Sequence, residues 1–398
     1  MLNKRYMLIS IIILSLVLSA CGGLGAPKIV KVAISLPLGL DIGKSMLNAA
    51  QLALKNAGGK AGNITVELIS YDISDPNGSP MSADFEEKNA NAAVQDTTIV
   101  GYIGPVVSSG SKSIPILNQA SIAQITPSAT WPGLTKPGYG PGEPGIYYPT
   151  GKQTLFRTVP SDEQQAAAAA RWCIQLGFKN AFIVIGDDAY GNGLAGIFDI
   201  TAGDEGLNIL GKKTYKTDTK LTTDDLQALA TRVLASQADV IYVAGSNGSN
   251  GVEVVQALRQ MNPTVVIMGP DGLAQDDLIK ALGTEMASNI YGTTVALPVD
   301  KLGTPGADKF LKDFQAAYGK APSAYEAATY ESMNVMLDAI GKAKEPTREG
   351  VLQAMQNLGD YSGIFGTWHF DPQGDISVTG ISGLQVQNGT WVFAKALK

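Results

Sequence analysis

The stretch Ile99-Val100-Gly101-Tyr102-Ile103-Gly104-Pro105-Val106-Val107-Ser108-Ser109-Gly110 leads through Ser113–Asn118 into Ala123-Gln124-Ile125-Thr126-Pro127-Ser128-Ala129-Thr130. Ile99–Ile103 is a short apolar run closed by Gly104-Pro105, which reads as a buried strand. Ser113–Asn118 starts a helix, and Ala123–Thr126 reads as the next strand. Strand, helix and strand in that order predict a parallel sheet covered by helices on both faces.

The same alternation extends in both directions. Upstream, Ile29–Leu36 is rich in strand formers, Ser45–Lys55 has apolar residues at helical spacing, Ile64–Tyr71 alternates as a strand and Ala83–Gln95 reads as a helix. Downstream the pattern breaks: residues 131–151 hold five Pro, six Gly and three Tyr, so neither periodicity survives. A loop of that length inside a compact fold is usually functional or mobile. The alternation restarts with Ser161 and Gln164 as a capping box before an Ala-rich helix, Gln165–Leu176. Strands then fall at 181–186, 209–215, 240–244, 265–268 and 290–296, with helices between them, including one over 195–202 and one capped by Thr223. Three further helices span 307–318, 325–342 and 347–357, and the tail from Gly366 reads as short strands and turns. The expected architecture is α/β, in two doubly wound parallel-sheet lobes divided near 155–160.

Composition narrows the chemistry. The 398 residues carry a net charge of −6, with 45 % apolar and 17 % charged residues. Such a chain builds large cores and lacks the basic footprint of a nucleic-acid binder. Two Cys and one His exclude a disulfide scaffold and a Cys- or His-rich metal site. No metal or cofactor is expected. At the start, Lys4-Arg5 precede the apolar run Met7–Leu18, which is too short for a membrane span but suits a signal-peptide core. It ends in Leu18-Ser19-Ala20-Cys21, similar to a bacterial lipoprotein cleavage site, which implies that Cys21 becomes the acylated N-terminus. Gly22, Gly23 and Gly25 then read as a tether.

Two motifs invite an enzyme reading and resist it. Gly191-Asn192-Gly193-Leu194-Ala195-Gly196 matches G-x-G-x-x-G, but Asp187-Asp188-Ala189-Tyr190 separate it from the strand, and two carboxylates would repel a pyrophosphate. Close packing at a strand-to-helix turn is the plainer reading. Ser108-Ser109-Gly110 lacks a base, because His369 sits in a strand-like Trp368-His369-Phe370, and Ser109-Gly110-Ser111-Lys112 lacks the partner motifs of a Ser–Lys enzyme.

A binding reading fits better. Ser108, Ser109 and Ser111 stand at a helix start and Thr126-Pro127-Ser128-Ala129-Thr130 at a strand end, so both can serve an anion or merely cap helices. In the second lobe Tyr190, Ser246, Asn247 and Asp271 follow strand ends. Asp271 pairs with a ligand cation and Tyr190 covers it, or Gly269-Pro270-Asp271-Gly272 is a plain turn.

With these blocks in order, together with Pro115-Ile116-Leu117-Asn118, Leu155-Phe156-Arg157-Thr158-Val159-Pro160, Tyr325-Glu326-Ala327 and Phe370-Asp371-Pro372-Gln373-Gly374-Asp375, the chain resembles the Leu/Ile/Val-binding type of ABC-transporter solute-binding proteins. The resemblance implies a type I periplasmic binding fold: two lobes, three crossovers and a ligand in the cleft. It places a lipoprotein signal at 1–20, a tether at 21–27, an N-terminal lobe at 28–157 plus 295–379, and a C-terminal lobe at 158–294 plus 380–398. It also implies that Ser108 and Thr130, with the backbone of Ser128, hold a ligand carboxylate, while Tyr190 and Asp271 contact the ammonium side, and it makes Ser109, Ala129 and Ser246 further ligand-binding residues. Ile42, Trp131 and Asn247 become cleft-lining candidates. The implied protein is a monomeric, lipid-anchored receptor outside the cytoplasmic membrane, delivering an amino acid-like ligand to ABC permease subunits. A sensor module of the same fold, binding amides, urea or aromatic acids, is the alternative. The departures from the family lie at Ile42, at Ser246, where an aromatic is usual, and at Asp271, where some relatives have Glu.

Overall fold

The first sheet of the computed structural model grows from β1 (Ile29–Leu36), whose last five residues are all buried. The structure describes residues 29–76 and 81–397, so the signal segment, Cys21 and the tether lie outside the described residues. Around β1 stand β2 (Lys60–Ala61), β3 (Ile64–Asp72), β4 (Ile99–Ile103), β5 (Ala123–Thr126) and β6 (Leu155–Arg157), in the order β2-β3-β1-β4-β5-β6. Every pairing except β2–β3 is parallel. Helices α1 (Asp41–Asn56), α2 (Ala83–Gln95) and α3 (Ser113–Gln119) supply the connections.

The second sheet holds β7 (Asn180–Gly186), β8 (Asn208–Tyr215), β9 (Val240–Ala244), β10 (Ile267–Gly269) and β11 (Ile290–Thr294), joined by α5 (Ala189–Glu205), α6 (Thr223–Leu234), α7 (Gly251–Met261) and α8 (Asp276–Met286). It is preceded by α4 (Asp162–Gln175). Along β7, Phe182 and Val184 enter one core with Ile241 and Leu258. Ala181 and Ile183 enter another with Trp172, Phe198 and Tyr242. Two apolar faces on one strand require cover on both sides, which is why the strand reads as a continuous apolar run.

The chain then returns to the first sheet. Phe310 and Phe314 of α9 (Pro305–Tyr318), Met333 and Met336 of α10 (Ala324–Lys342) and Leu352 of α11 (Arg348–Gln356) all pack with Val32 and Ile34. A small hairpin, β12 (Tyr361–Gly363) and β13 (Gly366–Trp368), follows on that side. Finally β14 (Ile381–Gln387) and β15 (Thr390–Leu397) join the second sheet, whose order is β15-β14-β11-β10-β9-β7-β8. The chain therefore crosses between the two units three times: after Arg157, after Thr294 and between Ile376 and Ile381.

Several details differ from the sequence expectation. The tail is a long antiparallel hairpin rather than short strands, so the second sheet has an antiparallel edge. Helix α5 starts at Ala189, not Ala195, because Asp188 accepts from the Gly191 N–H at 2.7 Å and initiates it. Thr222 rather than Thr223 caps α6, in a capping box with Asp225. The box expected at Ser161 and Gln164 does not form, since the Ser161 hydroxyl makes no cap bond. Cys173 is buried and unpaired, as expected. His369 is exposed at an edge, facing Asp360 at 3.3 Å.

Candidate functional site

Between the two sheets, Asp271 is 4 % exposed although it lies in a Gly-Pro-Asp-Gly turn. Its carboxylate accepts from the Tyr190 hydroxyl at 2.6 Å and from the Tyr325 hydroxyl at 2.5 Å. Tyr190 opens α5 of the second unit, whereas Tyr325 opens α10 of the first. Asp271 is therefore held from both sides of the cleft, which a surface turn would not be. The capping box of α10, Ser323 with Glu326, fixes the end of the helix that carries Tyr325. Burial pushes both phenols well above their ordinary range, and the Asp271 charge pushes them further, so they remain donors.

A second carboxylate, missed in the sequence as a site residue, stands nearby. Asp162 begins α4 and is fully buried, and neither of its oxygens makes a well-formed hydrogen bond among the described residues, although the Thr130 hydroxyl lies beside it. Burial pushes it up to about 8 against the pull of the Thr130 hydroxyl, and the Asp271 charge adds to the rise. The Ser161 hydroxyl and the Gln165 carbonyl oxygen are likewise buried and unpartnered. Such a cluster is costly in a closed interior unless a ligand satisfies it.

The adjoining wall is built of hydroxyls and backbone. Ser108 Oγ accepts from the Trp131 N–H at 3.2 Å, which leaves its own proton to donate. Thr130 is 2 % exposed, and its carbonyl accepts from the Asp162 N–H at 3.0 Å. Ser128 Oγ donates to the Val106 carbonyl, and the Ser128 and Ala129 N–H groups donate to Thr126 Oγ1 at 3.3 and 2.8 Å. Those two residues thus shape the wall rather than present free donors. Behind it, Arg157 is fully buried and donates to the carbonyls of Ala129 and Trp131, to Thr135 and to Asp375. Its cation is paired with Asp375 at 3.0 Å and holds the 129–131 backbone in place without entering the cleft.

The long loop proves ordered around one aromatic. Trp131 Nε1 donates to Glu143, Tyr147 donates to the same carboxylate, and Tyr139 meets the indole edge-on at 5.7 Å. Trp131 lies against Gly193 of α5 so closely that a Cβ on Gly193 would stand 2.1 Å from the ring. The loop also reaches α4, where Lys136 and Tyr139 both engage Glu163. Gly191 packs against β7 and β9, a Cβ there falling 2.3 Å from the Gly186 carbonyl. Gly191 and Gly193 of the G-x-G-x-x-G run thus serve close packing. Ser246 and Tyr190 both converge on Gly272, and the Asn247 N–H donates to the Gly272 carbonyl at 2.9 Å. Ser109 is exposed, and Ile42 packs from the first turn of α1 onto the first core.

A family profile for periplasmic binding proteins matches residues 34–390. The chain belongs to this family. Its members are solute-binding proteins and not enzymes, and they work outside the cytoplasm. The Leu/Ile/Val-binding protein BraC3 of Rhizobium johnstonii is 28 % identical over 360 residues, covering 89 % of each chain. The leucine-binding protein LivK of Thermotoga maritima superposes with a TM-score of 0.78 at 24 % identity, covering 92 % of this chain and 98 % of that one. LivJ of Streptococcus pneumoniae, solved with isoleucine, gives 0.77 at 22 %, covering 93 % and 99 %. At those identities the two structures establish the fold.

In this periplasmic binding protein no described helix is long and apolar enough to cross a membrane. A cavity of about 520 Å³ opens at the far end of the first sheet, by Ile29, Thr98 and Arg348. Arg348 there is occupied by the carbonyls of Ala93, Val94, Asp96 and Ile99, so it secures the end of α2 rather than awaiting a ligand.

Proposed function

We propose that this protein captures an α-amino acid between its lobes and delivers it to ABC permease subunits. The carrying observation is the polarity of the cleft. Two buried carboxylates, Asp162 and Asp271, give the cleft an acidic pole, and the Ser108 hydroxyl and the 128–131 segment, whose Thr130 adjoins Asp162, supply hydroxyls beside it. A zwitterion matches both: its ammonium on the carboxylates and Tyr190, its carboxylate on the hydroxyls. The names of BraC3 and LivK, both amino acid binders, support the reading. The lobes are 28–157 plus 295–379 and 158–294 plus 380–398. The receptor acts as a monomer, anchored to the membrane through Cys21.

Melting temperature against a panel of amino acids, amides and aromatic acids tests the proposal. At least one amino acid should raise it, and Asp271→Asn should abolish that rise. A panel in which only non-amino acids stabilise the protein would falsify the reading.

A further inference from the structure

The ammonium and carboxylate poles leave the ligand side chain unassigned. The segment after β9 reads Gly245-Ser246-Asn247-Gly248-Ser249-Asn250-Gly251 and contains no apolar side chain. It is tied to the Asp271 turn: the Asn247 N–H donates to the Gly272 carbonyl, and the Ser246 Cβ lies 2.9 Å from where a Gly272 Cβ would stand. The Asn247 amide is the informative group. Both its nitrogen and its oxygen are buried, and neither has a partner among the described residues. Ser246 Oγ is turned to Ser249 Oγ at 3.2 Å, so it does not satisfy the amide. A carboxamide offers two donors and an acceptor with two lone pairs, and burying it unmet is unfavourable.

We infer that Asn247 is a specificity residue that reads a neutral hydrogen-bonding group, a hydroxyl or carboxamide, on the side chain of the bound amino acid. The inference rests on the amino-acid reading above and narrows it. A branched aliphatic side chain would seal the amide away from water without satisfying it. Sites built to bond a polar group reject apolar isosteres for this reason.

Titration calorimetry on residues 29–398, which carry every strand and helix described, tests it with three pairs of similar size: threonine and valine, asparagine and leucine, glutamine and methionine. In each pair that binds, the polar member should bind at least about tenfold tighter. Asn247→Ala should bring the ratio near unity, by weakening the polar member and tightening the apolar one, which no longer buries an unmet amide. The similar-sized Asn247→Leu repeats the test if the alanine variant fails to fold. An apolar member that binds as tightly as its polar partner overturns the inference alone. A preference that survives in a folded variant removes Asn247 from the role. If none of the six binds while another amino acid raises the melting temperature, the inference fails alone; if no amino acid does either, the amino-acid reading fails with it.

Discussion

Asp162 shows how burial turns a helix-start residue into a candidate binding group. Aspartate early in a helix is ordinary, and Ser161 with Gln164 resembles a capping box, so the sequence offers a purely local explanation. Only the fold brings Thr130 and Asp271 up to it and removes the water. The groups that were legible, Ser108, Thr130, Tyr190 and Asp271, stand at strand ends where cleft residues are expected. Asp162 and Tyr325 stand at helix starts and carried no such signal. A carboxyl raised to about 8 is protonated at neutral pH until a cation arrives. An ammonium ligand therefore displaces a proton, and binding should tighten as pH rises, by up to about tenfold per unit below 8, then level off. Titration from pH 6 to 9 checks this, and Asp162→Asn should flatten the profile. Without ligand the sign reverses for stability. The folded state holds a proton that the unfolded chain has lost, so this group's contribution declines as pH rises between about 4 and 8.

Among the elements, the strand–helix alternation was readable because each buried strand is a short apolar run between turn residues. The elements misread have specific causes. Glycines at 191, 193 and 196 hide the start of α5, although Asp188 caps it. The final hairpin alternates exposed and buried residues along an edge and contains Gly383, Gly389 and Asn388, so it looks like turns. The 131–151 loop has no periodicity, and its order comes from Glu143, Glu163 and Arg157, partners 12 to 27 residues away in the chain. Trp131 of this loop packs on Gly193 of α5, across the two units. Gly193→Val should prevent Trp131 from seating there, because even a Cβ would overlap the ring. The expected result is a ligand affinity lowered by about tenfold or more, with the melting temperature of the free protein also lowered where Trp131 loses its packing on Gly193. Equal affinity in the variant would mean that Trp131 plays no part in closure.

At the scale of the molecule, length and alternation already announced two α/β units. What they could not announce was how the units face one another: Tyr325 of one bonds Asp271 of the other, and Trp131 of one covers Gly193 of the other. Those contacts define a closed arrangement in which a ligand would be engulfed, and affinity then depends on the balance of open and closed states. The central claim is that closure traps an amino acid with its ammonium at the acidic pole and its carboxylate on the hydroxyls beside it. The most direct measurement is a crystal structure with the amino acid that raises the melting temperature most. The account predicts the ammonium nitrogen within about 3.2 Å of oxygens of both Asp162 and Asp271, and the carboxylate on the hydroxyls of Ser108 and Thr130. A ligand bound outside the cleft, or inside it with its ends exchanged, would contradict the account.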